Sequence, residues 1–240
     1  MREPLVIAVA QPPCVSRDVA ANAEAHAVAV RAAGARVVVF PELSLTGYEF
    51  DAAPVSPGDP RLAPLIAACA ETGSLALAGA PVRGEADRRH IALLAVDGAG
   101  ASVAYRKMWL GGGEAACFAP GPVPAVLDVD GWRLGLAICK DTGVLRHSAD
   151  TAALGIDVYA ASVLDFEEEA HIQAERALRI AAAHGVWVAM ASFASPTGEG
   201  YTRPAGRSRI WSPAGVLLAD AGPEPGALAR ATLSDPAPER

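Results

Sequence analysis

The sequence predicts an α/β fold in which the sheets are mixed. Short apolar runs alternate with Ala-rich helical stretches along the chain, and a strand, helix, strand order implies parallel crossover connections. Other apolar runs are separated by Asp-Gly pairs, which favour tight antiparallel hairpins. A chain with both kinds of connection is expected to contain parallel and antiparallel neighbours in the same sheet.

The first elements illustrate the pattern. An apolar strand is expected at residues 5–10, where two prolines follow and end the run. Ser16 and Asp18 can both cap the Ala- and Val-rich helix that comes next, and Gly34 supplies its C-terminal stop. A second apolar strand is expected at residues 36–40.

The same alternation continues to the end of the chain. Helices near residues 60–71 and 167–184 precede strands at 75–79 and 186–191. The remaining predicted elements are a helix near 147–155 and strands at 91–96, 102–106, 126–129, 132–139, 156–160, 208–211 and 216–219. The tail after Asp235 is predicted to be a loose end. Because no repeat, low-complexity linker or composition break divides the chain, residues 1–240 are interpreted as one domain.

Composition excludes several classes of function. Hydrophobic residues make up 52% of the chain and charged residues 20%, so a large core can form and intrinsic disorder is not expected. The net charge of -7 gives no electrostatic reason to expect nucleic acid or an anionic membrane as a partner. No apolar stretch reaches the roughly 18 residues of a membrane span, and we expect a cytoplasmic protein.

The cysteines and histidines do not form a metal-binding pattern. The four cysteines lack a CxxC pair, so reduced thiols are expected in a chain of this size. The five histidines show neither an HExxH motif nor a Cys/His cluster, and no zinc site is predicted. Most of these histidines are expected at the surface.

Three residues at strand ends are candidates for chemistry. Cys139 follows an apolar strand and is either a small buried hydrophobe, as most free cysteines are, or a nucleophile. Glu42 also follows a strand, where a carboxylate is not expected in the core; it is either a solvated strand end or a functional group. Lys107 is either an edge charge or an ammonium that lowers the thiol pKa and holds an oxyanion. Spacing alone leaves these alternatives open.

Three longer segments carry a more specific signal. They are Pro-Glu-Leu-Ser-Leu-Thr-Gly-Tyr at residues 41–48, Tyr-Arg-Lys-Met-Trp-Leu at 105–110 followed by Glu114, and Gly-Leu-Ala-Ile-Cys-Lys-Asp at 135–141. In this order they resemble the glutamate, lysine and cysteine segments of the nitrilase superfamily of carbon-nitrogen hydrolases, amidase-like members in particular. Flanking strands agree, so the resemblance spans nearly the whole chain.

The resemblance implies a fold and a set of roles. Members of the family fold as a four-layer-type α-β-β-α sandwich with mixed sheets and commonly form homodimers or higher homo-oligomers, without a metal or organic cofactor. Cys139 would be the nucleophile and Glu42 the general base. Lys107 and the backbone N–H of Lys140 would hold the oxyanion, and Glu114 would orient the lysine.

The implied reaction is hydrolysis of a small linear amide by water. N-carbamoyl amino acid hydrolysis is the second choice, followed by nitrile hydrolysis, acyl transfer to an amine, and a binding protein that has lost turnover. Tyr48, Lys140 and Phe193 are candidate substrate-binding residues, and the alternative for the two aromatic residues is packing in the core. Gly143 stands where many relatives have an arginine, and Ser192 lies near the place where many have an asparagine, so the resemblance does not fix specificity.

Overall fold

The computed structural model of the chain describes residues 2–235, which form two six-stranded mixed sheets. The strands are β1 (Leu5–Ala10), β2 (Val37–Val39), β3 (Leu75–Arg83), β4 (Arg89–Asp97), β5 (Gly100–Arg106), β6 (Val126–Val129), β7 (Trp132–Ile138), β8 (Val158–Val163), β9 (Trp187–Ser192), β10 (Arg209–Trp211), β11 (Leu217–Asp220) and β12 (Leu228–Leu233). The α-helices are α1 (Val19–Ala33), α2 (Ala63–Thr72), α3 (Glu114–Cys117), α4 (Lys140–Gly143), α5 (Leu145–Ala152) and α6 (Ala170–His184).

Each sheet combines parallel and antiparallel pairs, as the sequence predicts. The first sheet has the order β12-β1-β2-β3-β4-β5, and the second has the order β11-β10-β9-β8-β7-β6. Strands β1, β2 and β3 are parallel neighbours, and so are β7, β8 and β9. The hairpin between β6 and β7 turns at Asp130 and Gly131, both with positive φ, which the tight primed turns require.

Local signals explain where α1 begins and ends. The side chain of Asp18 accepts a hydrogen bond from the N–H of Ala21 at 3.0 Å, which satisfies one donor of the first turn. Gly34 ends the helix in the left-handed conformation with φ 53°. Ser16, the other predicted cap, does not serve this helix, because its hydroxyl donates to Glu49 Oε1 instead.

Three apolar layers build the core. The central layer lies between the two sheets and contains large side chains such as Trp132, Leu93 and Leu136. Outer layers separate the first sheet from α1 and α2, where Val30 and Leu65 are buried, and the second sheet from α6. The expected α-β-β-α sandwich is confirmed. Among the described helices none is both long and apolar enough to cross a membrane.

Several boundaries and burials differ from the sequence prediction. Strand β12 was not predicted, because the polar residues Arg230 and Thr232 interrupt its apolar run; it pairs antiparallel with β1. The expectation that most histidines are exposed is wrong for His26 and His147, which are fully buried. His26 is accommodated because its ring nitrogens meet Asn22 O and a serine hydroxyl. The tail beyond Asp235 lies outside the described residues.

Candidate active site

The three candidate catalytic residues converge at strand ends of the two sheets. Glu42 follows β2 and Lys107 follows β5, both in the first sheet, whereas Cys139 follows β7 in the second. Lys107 and Cys139 line a cavity of about 500 Å³, and Glu42 lies behind the lysine. The edges of both sheets therefore supply the site.

A glycine in the neighbouring strand allows the Glu42 segment to approach. A Cβ atom on Gly79 of β3 would stand 2.3 Å from the N atom of Leu43 and 2.4 Å from the O atom of Pro41. A hydrogen bond from the N–H of Leu45 to Gly79 O at 2.9 Å also holds this segment against β3. Leu43 has a positive φ of 51°, which turns the chain sharply after the glutamate.

Lys107 is held between two carboxylates. Its Nζ atom lies 2.6 Å from Glu42 Oε1 and 2.6 Å from Glu114 Oε1, and all three side chains are buried. The expectation that a carboxylate at position 42 stays out of the core is therefore wrong, because the ion pair compensates its burial. Charge-assisted contacts of this length fix the lysine in one place.

The two carboxylates differ in how completely they are bonded. Glu114 Oε1 also accepts from the hydroxyl of Tyr48 at 2.6 Å, and its Oε2 accepts from the N–H of Gly111 at 2.6 Å. Glu42 Oε2 is buried and has no hydrogen-bond partner among the described residues. An unpaired buried acceptor is rare, and it marks Glu42 Oε2 as the oxygen that can take up a proton. Glu114 has no such oxygen, because both of its oxygens already accept hydrogen bonds.

The nucleophile candidate lies on a strained turn. Cys139 has φ 40°, an uncommon conformation for a residue with a side chain, and leads directly into α4. Its Sγ donates to Leu164 O at 3.4 Å. Its backbone N–H donates to Ser162 O at 2.9 Å, and the hydroxyl of Ser162 donates to Phe40 O at 2.5 Å. Ser162 therefore links the cysteine turn to the strand that carries the glutamate.

Asp141 fixes the same turn from the other side. Its carboxylate is fully buried and accepts hydrogen bonds from the N–H of Ile138 at 2.9 Å and the hydroxyl of Tyr105 at 2.7 Å. It also accepts from the N–H of Trp109 at 2.9 Å. Because Trp109 belongs to the lysine segment, Asp141 couples the backbone at the thiol to the backbone at the ammonium.

A buried chain of hydrogen bonds supports Asp141. His147 Nε2 lies 2.9 Å from the hydroxyl of Tyr105, and His147 Nδ1 lies 2.9 Å from the hydroxyl of Tyr159. Burial lowers the pKa of His147, so the ring is neutral. With the proton on Nε2, every donor in this chain meets an acceptor.

Burial controls the protonation of the site. Burial raises the pKa of Glu42 to about 8, and the charges of Glu114 and Asp141 add to the rise while Lys107 opposes it. Burial also raises the pKa of the Cys139 thiol, and Glu42 contributes further. Lys107 lowers the thiol pKa, as predicted, but burial and the carboxylate outweigh its effect, and the pKa of the thiol lies above its ordinary value.

Lys107 itself keeps its proton. Burial alone would lower the pKa of the ammonium, but the carboxylates of Glu42 and Glu114 raise it above its ordinary value. The resting site therefore contains a protonated lysine and a protonated thiol. Glu42 is the group that titrates near neutral pH.

Two of the three predicted substrate-binding residues line the cavity. Tyr48 lines the cavity, where its ring packs edge-on against Phe50 and Tyr201, and the exposed Lys140 lines it as well. Phe193 is corrected: it is 1% exposed and packs in the central core between the sheets. Burial among apolar side chains stabilises its ring, and phenylalanine residues are commonly buried in this way.

The sequence analysis missed other polar residues of the cavity. Asp165, Glu169 and Arg176 line it together with Glu199. Asp165 could have been noticed, because it follows the apolar strand β8 after a single further residue, Leu164. Within residues 2–235, no group of three or more His, Cys, Asp or Glu side chains is arranged to hold a metal ion.

Comparison with known sequences decides the family. The model of the family described as carbon-nitrogen hydrolase matches residues 6–235. This chain belongs to the carbon-nitrogen hydrolase family. A protein of Pseudomonas protegens named as the hydrolase in the pqqF 5′ region is 31% identical to this carbon-nitrogen hydrolase over 230 residues, which are 90% of this chain and 78% of that protein.

Solved structures agree with this membership. An amidase from Nesterenkonia sp. AN1, described with acrylamide added at its active-site cysteine, has 26% identity and a TM-score of 0.83 over 97% of this chain and 93% of its own. Saccharomyces cerevisiae Nit3, a member of the nitrilase superfamily, shares the fold with a TM-score of 0.85 at 19% identity, over 96% of this chain and 90% of its own. The family and its amidase structures support hydrolysis of a carbon–nitrogen bond.

Proposed function

We propose that this carbon-nitrogen hydrolase cleaves a small linear amide through a thioester on Cys139 and releases a carboxylic acid together with ammonia or an amine. The observation that carries the proposal is the unequal bonding of the two carboxylates at Lys107. Glu42 keeps a buried oxygen without a partner, whereas Glu114 is bonded on both oxygens. Glu42 is thus suited to move protons, and Glu114 is suited to hold the lysine in position.

In the first half of the reaction, the Cys139 thiol passes its proton to Glu42 as sulfur forms a bond to the amide carbon. The electron pair of the carbonyl moves onto oxygen, where the ammonium of Lys107 and the backbone N–H of Lys140 hold the negative charge. The first N–H groups of a helical turn have no intrahelical acceptor, and Lys140 begins α4. Collapse breaks the carbon–nitrogen bond, and Glu42 returns its proton to the leaving nitrogen.

In the second half, water attacks the thioester. Glu42 removes a proton from the water as oxygen bonds to the acyl carbon, and the same two donors hold the second oxyanion. Collapse breaks the carbon–sulfur bond and the proton returns to sulfur. A carboxyl group with a pKa of about 8 is suited to both accepting and donating a proton near neutral pH.

Activity assays test the reaction. Ammonia release is measured with primary amides, N-carbamoyl amino acids and nitriles, and we expect turnover of amides with an acyl group on Cys139 detectable by mass spectrometry of quenched samples. Added hydroxylamine tests for the thioester, because it diverts that intermediate to a hydroxamate. Turnover of nitriles alone would overturn the proposal.

A pair of variants assigns the nucleophile. Cys139→Ala is expected to abolish turnover while the circular dichroism spectrum stays unchanged, whereas Cys117→Ala, which removes an exposed free thiol, keeps the wild-type rate. Undiminished hydrolysis by Cys139→Ala would remove this residue from the mechanism. Light scattering of the same preparations tests the expected homodimer or higher homo-oligomer.

A further inference from the structure

Two oppositely charged side chains line the cavity and have no part in the proposed steps. Asp165 follows β8 and is the next residue after Leu164, whose carbonyl contacts the Cys139 sulfur. The charge of Asp165 contributes to the raised pKa of Cys139, which indicates that the carboxylate lies near the reacting sulfur. Arg176, on α6, lines the same cavity.

Asp165 is held from behind by buried side chains. The residue is 7% exposed, and its Oδ2 accepts from Gln173 Nε2 at 3.0 Å. The same Nε2 donates to Ser192 Oγ at 2.9 Å. Oδ1 accepts no hydrogen bond from the described residues, and Arg176 Nη1 is 3.7 Å away, which is too long for a hydrogen bond. One carboxylate oxygen is therefore fixed and the other is free to accept.

Arg176 has unused donors. Its guanidinium makes no hydrogen bond within residues 2–235, although its side chain is only 23% exposed. Its Nε, Cζ and Nη2 atoms lie 3.4–3.5 Å from the point where a Cβ on Gly143 would stand, so the absence of a side chain at position 143 leaves room for the guanidinium. Five N–H donors in a rigid fork suit a carboxylate ligand.

We propose that Asp165 and Arg176 bind the α-ammonium and α-carboxylate of an amino acid whose side chain ends in the amide that Cys139 attacks. This inference rests on the proposed amide hydrolysis. A purely cationic substrate would be repelled by Arg176, and a purely anionic one by Asp165. A zwitterion complements both charges. An uncharged acyl chain would displace water from the Asp165 carboxylate and the Arg176 guanidinium without offering hydrogen bonds in return, which weakens binding.

The rest of the lining fits such a substrate. Lys140 and the two carboxylates of Glu169 and Glu199 place charges of both signs around the cavity. Between these charges, the rings of Tyr48 and Tyr201 pack edge-on at 5.3 Å and offer an apolar wall for the methylene groups of a short side chain.

Four substrates of equal chain length test the proposal on the wild-type enzyme. Glutamine carries both charged groups, 4-carbamoylbutanoate lacks the ammonium, 4-aminobutanamide lacks the carboxylate, and butanamide lacks both. We expect kcat/KM to fall about tenfold or more for each charged group removed, as charge-assisted hydrogen bonds are lost. Asparagine with its three analogues forms a second series that is one methylene shorter.

Two variants assign the charged groups. Asp165→Asn should bring the ratio of kcat/KM for glutamine over 4-carbamoylbutanoate toward one, and Arg176→Gln should do the same for glutamine over 4-aminobutanamide. The exposed residues Glu175 and Arg146 provide charge-matched controls: Glu175→Gln and Arg146→Gln should keep the wild-type ratios.

The outcomes separate this inference from the reaction itself. Cleavage of butanamide or propanamide through Cys139, without preference for either zwitterion, would overturn the binding role of Asp165 and Arg176 and leave amide hydrolysis standing. If none of the eight amides is cleaved, both proposals fail. The comparison among substrates needs only the wild-type protein, so a variant that folds poorly does not prevent the decision.

Discussion

The hydroxyl of Ser162 donates a hydrogen bond to the carbonyl of Phe40 at 2.5 Å, and this contact joins the two sheets beside the active site. Ser162 lies in β8, and Phe40 comes two residues before Glu42. Because the backbone carbonyl of Ser162 also accepts from the N–H of Cys139, this residue contacts both the segment of the proposed base and the turn of the proposed nucleophile.

Replacement of Ser162 should reduce both the free energy of unfolding and the turnover of amides. Ser162→Ala leaves the Phe40 carbonyl without its donor, at a cost of about 1–3 kcal/mol in the free energy of unfolding. It also removes the hydrogen bond that holds the Glu42 segment against β8, so kcat should fall. Urea unfolding and amide assays measure the two effects. Ser148→Ala, which removes another hydroxyl bonded to a carbonyl, serves as the control. Equal kcat for the two variants would contradict the positioning role.

Removal of the buried ammonium should affect both catalysis and folding. Lys107→Ala takes away an oxyanion donor, for which a loss of at least ~10²-fold in kcat is typical. It also leaves two carboxylates buried without a cation, which costs about 3–5 kcal/mol. Arg36→Ala breaks an exposed ion pair with Asp130 and should cost less than about 1 kcal/mol. A near-wild-type rate for Lys107→Ala would exclude the lysine from the mechanism.

One substitution should change turnover and thiol reactivity in opposite directions. The charge of Glu42 raises the pKa of the Cys139 thiol, so Glu42→Gln should lower that pKa and increase the rate of alkylation by iodoacetamide, while amide turnover is lost with the base. The rates are measured in a Cys117→Ala background, because that thiol is exposed. Slower alkylation of Glu42→Gln would show that proton removal by Glu42 outweighs its charge.

The pH profile should move when the second glutamate loses its charge. In the proposed reaction Glu42 acts as a base when deprotonated, and its pKa is raised to about 8 by burial, with a further contribution from Glu114. Glu114→Gln removes a negative charge, so the pKa of Glu42 should fall and the acidic limb of kcat/KM should shift to lower pH. Asp150→Asn, at an exposed ion pair, should leave the limb in place. An upward shift in Glu114→Gln would contradict the assignment.

Stability should depend on pH through His26. Burial lowers the pKa of His26 from 6.5 to about 4. Between these values the unfolded chain takes up a proton that the folded protein refuses, so the free energy of unfolding should fall by up to about 1.4 kcal/mol per pH unit as pH decreases. His26→Gln should lack this contribution, and the exposed His171→Gln should retain it. Identical slopes for wild type and His26→Gln in urea unfolding would refute the prediction.

Much of the architecture could be predicted because it depends on local signals. Apolar runs, Asp18 at a helix start and Gly34 at its end are readable in the sequence, and they fix α1 and the strands around it. Glu42, Lys107 and Cys139 could be proposed because each lies near the end of a strand and because the segments around them resemble those of the nitrilase superfamily. Strand β12 escaped prediction since its stability comes from pairing with β1, a partner more than 200 residues away in the chain.

The supporting contacts could not be predicted for a related reason. Ser162 lies within an apolar run and reads as an ordinary strand residue, and its role appears only when the sheets pack. The burial of Glu42 depends on Lys107, which is 65 positions away. The placement of Asp165 and Arg176 at one cavity likewise requires β8 and α6 to lie side by side, and no spacing rule in the sequence encodes it.

The close approach at Gly79 has a consequence for how this enzyme can vary. A methyl group there would collide with backbone atoms on both sides of Glu42, and backbone cannot step aside as a flexible side chain can. Position 79 therefore supplies no atom to the proposed chemistry, yet it determines how closely the segment of Glu42, the proposed base, packs against β3. Selection for amide turnover from a library randomised at this codon should return glycine alone.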